Sequence, residues 1–361
     1  MRVVLAGGGT AGHIEPALAI AAELEKQGLS SKSDIHFVGG YRGLEGRLVP
    51  ARGYQLHQFN IIGLPRTLNF QLLTYPIRLL IILAQMFKLF RKIKPDFVMG
   101  FGGYVAAPSY IAAKILGISI VIHESNARAG VSNKRAAKHA ALVIESFKGS
   151  LPNAKLLGTP IRSSIAVLNS IESKDAAKSH FSLPATGSTV LVFGGSQGAE
   201  RINQAIVEIA PKLSEQGIHV LHIVGELNLA KYQGISVAGP GKYIVLGYCD
   251  RMDLAYAAAD LAVTRSGALT VAELAAAGMP AILVPYPVGN GEQEFNAAEL
   301  VASGAAVMLR NQDCTATKLS LMIETLIADN VKLAEMKRIS KSIARPNAAS
   351  VIVTELQQVM R

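Results

Sequence analysis

Residues 260–287 read DLAVTRSGALTVAELAAAGMPAILVPYP. Leu261–Thr264 has the length and apolar character of a buried strand, and Arg265-Ser266-Gly267 is a tight turn. A helix is expected from about Ala268, closed by Gly278 with Pro280 just beyond, and residues 281–284 form a second apolar strand ending in Pro285-Tyr286-Pro287. Strand, turn, helix and strand make a βαβ unit, and parallel sheets built from such units bind ligands at the carboxyl ends of their strands. The helix N-terminus there offers N–H groups and a positive dipole end to a phosphate. Glu273, about one turn further in, is placed to reach the vicinal hydroxyls of a ribose. Read alone, the stretch fits equally well an ordinary βα turn with a solvated glutamate.

The rest of the chain repeats this plan. With 361 residues, half of them hydrophobic and 33 glycines, the length suits two domains, each a parallel sheet with many tight turns. Two cysteines, Cys249 and Cys314, offer neither a disulfide framework nor a metal cluster, which points to a reducing compartment. The opening MRVVLAGGG enters a strand directly, without the pattern of a secretory leader. Charge is lopsided: residues 1–162 hold 20 Lys/Arg against 8 Asp/Glu, the remainder 16 against 18. No acid lies between Glu45 and Asp96, whereas eight cations do: Arg47, Arg52, Arg66, Arg78, Lys88, Arg91, Lys92 and Lys94. Such a field attracts an anionic partner, a nucleic acid or an anionic membrane.

Val3–Ala6 is a strand leading into Gly7-Gly8-Gly9-Thr10-Ala11-Gly12-His13, formally a G-x-G-x-x-G loop. A dinucleotide site would also want an acid after the second strand, yet residues 35–38 run into Gly39-Gly40-Tyr41-Arg42, which argues against a nicotinamide cofactor. The loop still reads as a cradle for an anion or a sugar. His13 stands where the loop gives way to a helix expected over residues 16–27, with Pro16 in its first turn. A lone histidine is commonly structural; one at the mouth of a glycine loop is placed to be a general base.

Residues 76–94 read PIRLLIILAQMFKLFRKIK. Their longest uncharged run is far shorter than the ~20 residues of a bilayer span. On a helical wheel Arg78, Gln85, Lys88 and Lys92 fall within about 80° and most of the remainder is apolar. Two readings stay open: a helix that dips Leu79 and Ile82 into a membrane while its cations meet headgroups, or a buried helix with a snorkelling basic edge. A second glycine loop, Gly100-Phe101-Gly102-Gly103-Tyr104, and a polar cluster, His123-Glu124-Ser125-Asn126, follow the next two strands. His123 and Glu124, being adjacent in an extended segment, point opposite ways and make a poor metal pair. Gly158-Thr159-Pro160-Ile161-Arg162 reads as the linker to the second domain. There Thr189–Phe193 opens a third glycine loop, GGSQGA, and residues 316–360 read as terminal helices broken at Pro346.

Taken together, GGGTAGHIEPALAIA, GFGGYVAAP, HESNARAGVSNK, GTPIR, GGSQGA, RSGALTVAELAAAGMPAILVPYP and EQEFNA occur in an order and spacing that resembles the MurG family, the membrane-associated N-acetylglucosaminyltransferases of bacterial peptidoglycan synthesis. The resemblance spans nearly the whole chain. It implies a GT-B fold: two doubly wound, Rossmann-like α/β domains facing each other across a cleft. The first, 1–162, would take the acceptor and face the membrane, with a C-terminal helix of about 345–361 packed back on it; the second, 163–344, would bind the donor. The implied reaction moves N-acetylglucosamine from UDP-N-acetylglucosamine to the 4-hydroxyl of the muramoyl sugar of lipid I, with inversion, giving lipid II and UDP. The implied setting is the cytoplasmic face of the cell membrane, on an anionic inner leaflet, without nucleic acid, in cell-wall synthesis and the cell shape and division that depend on it.

Carried over by position, the resemblance places the donor on Arg162, Ser196, the backbone at Cys249, the run Ala268, Leu269, Thr270, Val271, Ala272 and Glu273, and Gln293. Glu273 would hold the ribose, and the turn from Ser266 to Thr270 with Ser196 the diphosphate. Thr10, Ala11, Gly12 and Asn126 would meet the donor sugar. Gly8, Gly9, Gly102, Gly103 and Tyr104 would hold the lipid diphosphate, and Arg78, Leu79, Ile82, Lys88 and Lys92 the membrane. The chain departs from the commonest family pattern at Ala11, Ser125, Thr159 and Glu292. An inverting transfer needs a base on the acceptor; His13 is the candidate and Glu124 the alternative. No D-x-D-like carboxylate set ends a strand, so neither a metal nor another cofactor is expected. A different GT-B nucleotide-sugar enzyme, a glycolipid synthase or a UDP-sugar epimerase, would share the donor site. A basic binding protein would not need three glycine loops at strand ends, and no aromatic-rich RNA-recognition motif is present.

Overall fold

The computed structural model describes residues 1–61, 70–168, 173–194, 199–287 and 291–360, with side chains 70–74 left aside. It divides into two compact units: Met1–Ile161 with Asn347–Arg361, and Arg162–Pro346.

The strands of the first unit are β1 (Val3–Ala6), β2 (Ile35–Gly40), β3 (Gln55–Phe59), β4 (Phe97–Gly100), β5 (Ser119–Glu124), β6 (Leu142–Glu145) and β7 (Lys155–Leu156). They form one parallel sheet in the order β3-β2-β1-β4-β5-β6-β7. Val3, Val4, Leu5 and Ala6 are all fully buried, as a parallel strand covered on both faces requires. The strand order reverses between β1 and β4, and a ligand crevice belongs at that point. Both N-terminal glycine loops leave the sheet there.

The first helix is Ala11–Lys26, not 16–27. Thr10, extended at φ −125° and ψ 158°, is its N-cap, and the Thr10 carbonyl accepts from the N–H groups of His13 and Ile14. Pro16 therefore lies inside the helix and does not mark its first turn. The last helix, Ala348–Val359, packs on the first, its Ile352, Val353 and Leu356 sharing a core with Ile14, Leu18 and Ala21.

The second unit repeats the architecture with β8 (Thr189–Phe193), β9 (His219–Ile223), β10 (Tyr243–Leu246), β11 (Leu261–Thr264), β12 (Ala281–Leu283) and β13 (Ala306–Met308). These form a parallel sheet in the order β10-β9-β8-β11-β12-β13, reversing between β8 and β11. The helix after β11 spans Ala268–Ala277 and ends on Gly278 in the left-handed region, φ 63° and ψ 41°. β12 stops at Leu283, although the N–H of Val284 still donates to the Thr264 carbonyl.

Candidate active site

In the first unit Ala6 pairs with Gly100, and Gly100 with Ile122, so the loops after β1, β4 and β5 emerge side by side. His13 is the third residue of its helix and half-buried. The turn after β4 lies against its ring. Gly102 and Gly103 have φ of 90° and 77°, and a Cβ on Gly102 would stand 3.3 Å from His13 Nε2. On Gly103 it would stand 3.2 Å from the Gly8 carbonyl and 3.5 Å from His13 Nδ1, so only glycine serves at either position. His13 Nδ1 is buried and, among the described residues, has no hydrogen-bond partner. Burial holds the imidazole below the usual histidine range, opposed by the Glu124 carboxylate, the Gly8 carbonyl and Glu45. At neutral pH the ring is uncharged and able to take a proton.

Glu124 is buried and its carboxylate is taken up: Oε1 accepts from the N–H of Asn126 (2.9 Å), Oε2 from the N–H of Gly130 (3.0 Å) and from Asn133 Nδ2 (2.9 Å). Tyr110 donates in turn to Asn133 Oδ1. With these three donors on its oxygens, Glu124 fixes the loop that presents Asn126. His123 turns to the other side of the sheet, its Nε2 3.0 Å from the Gly158 carbonyl and its ring beside Phe101. Thr10, Ala11, Gly12 and Asn126 are half-buried, and Tyr104, second in the helix Gly103–Ile115, is 64% exposed.

Gly8 and Gly9 depart from the diphosphate role expected of them. Gly8 is buried, and the N–H of Gly9 donates 2.9 Å to Glu45 Oε2. That group is occupied, and by an acid that would repel a phosphate. The anion-cradle expectation in this unit is left to the Gly102-Gly103-Tyr104 turn. Glu45, which carries no motif of its own in the sequence, is 1% exposed.

In the second unit Arg162 and Glu273 come together. Arg162 Nε and Nη2 each lie 3.3 Å from Glu273 Oε1, and Tyr256 donates to Oε2 at 3.1 Å. Glu273 is 3% exposed, so it is an anchored carboxylate with a guanidinium on one oxygen and a phenol on the other. Tyr256 had no sequence signal beyond being an aromatic residue in an alanine-rich segment. Cys249 is buried, which pushes its thiol up to about 11 and disfavours the reactive thiolate.

Gly267 caps the helix Ala268–Ala277 in extended conformation and, having no side chain, makes no cap bond to its first N–H groups. Thr270 and Ala272 are half-exposed, whereas the side chains of Ala268, Leu269 and Val271 are buried. Ser266 is fully buried and its hydroxyl donates to the Gln293 carbonyl at 2.8 Å, so it ties two loops together and does not face a diphosphate. Gln293 Oε1 accepts from the N–H of Tyr286 at 3.0 Å. Ser196 lies outside the described residues.

The basic helix is longer than expected, Phe70–Ile93. Its core side is Ile82, Met86, Phe90 and Ile93, which corrects the placement of Ile82 on the membrane face: it is 7% exposed and packs under the sheet. Leu79 is half-buried. The opposite side carries Ile77, Leu80 and Ile81, at 62%, 66% and 53% exposure, followed along the axis by exposed Lys88, Arg91 and Lys92, with Arg78 also exposed. Among the described residues no helix is long and apolar enough to cross a membrane.

Two doubly wound parallel α/β units, each with its motifs at the strand-order reversal, define the GT-B class of glycosyltransferases. The N-terminal domain model of glycosyltransferase family 28 matches residues 3–144 and its C-terminal domain model residues 189–352; the chain belongs to that family. A relative from Streptomyces coelicolor is 45% identical over 98% of this chain and 96% of its own. That relative is named UDP-N-acetylglucosamine--N-acetylmuramyl-(pentapeptide) pyrophosphoryl-undecaprenol N-acetylglucosamine transferase. The crystal structure of Acinetobacter baumannii MurG superposes with a TM-score of 0.77 at 30% identity, covering 99% of both chains. A UDP-GlcNAc 2-epimerase from Neisseria meningitidis, bound to UDP-GlcNAc, reaches 0.67 at 16% identity over 99% of both chains, a likeness of fold alone.

Proposed function

We propose that the chain transfers N-acetylglucosamine from UDP-N-acetylglucosamine to the 4-hydroxyl of the N-acetylmuramoyl unit of lipid I, forming lipid II and UDP with inversion. The observation that carries the reading is His13: an uncharged imidazole held at the strand-order reversal by the Gly102–Gly103 turn. The names of the relatives agree with it. In the second unit Glu273, fixed by Arg162 and Tyr256, is the carboxylate placed to accept the ribose hydroxyls. The uncapped N–H groups after Gly267 take the diphosphate.

His13 takes the acceptor proton as the 4-hydroxyl oxygen attacks the anomeric carbon. The departing UDP is stabilised by those N–H groups and by Arg162, without a metal in this proposal. The polyprenyl acceptor requires a membrane, and Ile77, Leu80 and Ile81, with Arg78, Lys88, Arg91 and Lys92, form a face fit for an anionic cytoplasmic leaflet.

The test is UDP release from UDP-N-acetylglucosamine, with and without a lipid I analogue and with EDTA present, for wild type and His13→Ala. Acceptor-dependent release that collapses in the variant is the expected result. Donor binding without release on any lipid I analogue would move the assignment to another nucleotide-sugar enzyme.

A further inference from the structure

Glu45 begins the helix Glu45–Ala51, which follows β2, and its side chain is buried beneath the loop after β1. One carboxylate spans two loops: Oε2 accepts from Gly9 at 2.9 Å and Oε1 from Gly40 at 2.7 Å. The neighbouring Leu44 N–H reaches the Gly9 carbonyl at 3.5 Å, so Gly9 is gripped on both sides of its peptide. The glycines around it leave room only for this side chain. A Cβ on Gly43 would fall 1.8 Å from Glu45 Oε2, on Gly39 2.6 Å from Cγ, and on Gly8 2.6 Å from Oε1. Gln58 Nε2, donating to the Gly40 carbonyl at 3.1 Å, holds the far side of the second loop.

The residue after Gly9 is Thr10, the N-cap whose carbonyl receives the His13 N–H. We propose that Glu45 is a positioning residue for the transfer: its carboxylate clasps Gly9 to Gly40 and thereby sets the entry angle of the helix that carries His13. The clasp also closes Gly9 to a phosphate and directs an anionic acceptor to the Gly102–Tyr104 turn. This rests on the reading of His13 as base. Charge-assisted bonds from N–H to carboxylate are about twice as strong as neutral ones, which suits a fixed anchor.

The experiment compares wild type, Glu45→Gln and Gly43→Ala. The first variant keeps the shape but sets an NH₂ against one N–H donor. The second leaves Glu45 in place and crowds its carboxylate out. Steady-state kinetics with a lipid I analogue and NMR of the Gly9 and Gly40 amides and the His13 ring are read on the same samples. Both variants are expected to lose about 10²-fold in kcat with donor KM within twofold, the cost of a small misplacement of a reacting group. The Gly9 and Gly40 amide protons move upfield and exchange at least tenfold faster, and the His13 ring signals shift. Wild-type kcat with displaced amides, or unmoved amides and ring, would overturn the proposal, as would equal losses on both substrates with a lowered melting temperature. Wild type without acceptor-dependent release would sink the transferase reading instead, and the amide and ring signals would still decide Glu45.

Discussion

The two strand-order reversals use the same topology for opposite ends. In the first unit two buried carboxylates at the reversal, Glu45 and Glu124, are bound by backbone N–H groups and an asparagine amide, and they hold loops around a neutral imidazole. In the second, a buried carboxylate, Glu273, meets a guanidinium and a phenol, and it lies on a helix whose N-cap, Gly267, has no side chain. A doubly wound sheet fixes where a ligand sits; the loops decide whether the place is built to move a proton or to hold an anion.

The largest test of that division is His13→Ala, which should lower kcat by about 10²–10⁴-fold while leaving donor KM in place. A matching rise in donor KM would dissolve the contrast. Within the first unit, Ile82→Ala is expected to cost about 2–5 kcal/mol in a urea melt. Leu80→Ala should cost under about 0.5 kcal/mol and weaken binding to anionic vesicles instead. Equal stability losses would return Leu80 to the core. In the second unit Glu273→Gln should raise donor KM about ten- to hundredfold, the value of a hydrogen bond to a charged group, with kcat at saturating donor nearly kept. A fall in kcat alone would give Glu273 a catalytic part.

Acid should strain both units. Burial lowers His123 to about 4 and His222 to about 3. Below about pH 6.5 the unfolded chain binds protons that these folded groups refuse. The stability is therefore complete above that pH and is lost as pH falls towards the folded values, at up to about 1.4 kcal/mol per pH unit for each histidine. Melting temperatures from pH 7.5 to 4.5 check this, and a flat profile would contradict it. Gly278→Ala should cost about 1–2 kcal/mol in the same urea melt, because alanine resists the left-handed conformation that ends the Ala268–Ala277 helix.

The strands and glycine loops were legible because parallel strands buried on both faces are continuous apolar runs, and the turns that follow them need glycine. The pairing of Arg162 with Glu273 lay hidden because 111 residues separate them and only the sheet order brings them together. Glu45 was not legible because its carboxylate reaches the first loop from the helix after the second strand and not from the strand's own end. The glycines at 8, 39 and 43 are its trace, since a Cβ at any of them would meet the Glu45 side chain. Ile82 lies in the core and not on the membrane face because the apolar arc beside the cations includes the core seam as well as the open face.

The last helix has a consequence for how the molecule is made. Residues 347–361 complete the core that residues 1–161 begin, and 185 residues of another unit, 162–346, come between. On the ribosome the middle unit has all of its own chain before the first unit does. Ile14 and Leu18, on the first helix of the N-terminal unit, lack part of their cover until Ile352, Val353 and Leu356 have been synthesised. Loss of the final fifteen residues would therefore be felt at the opposite end of the sequence, in the helix that begins with Ala11 and carries His13.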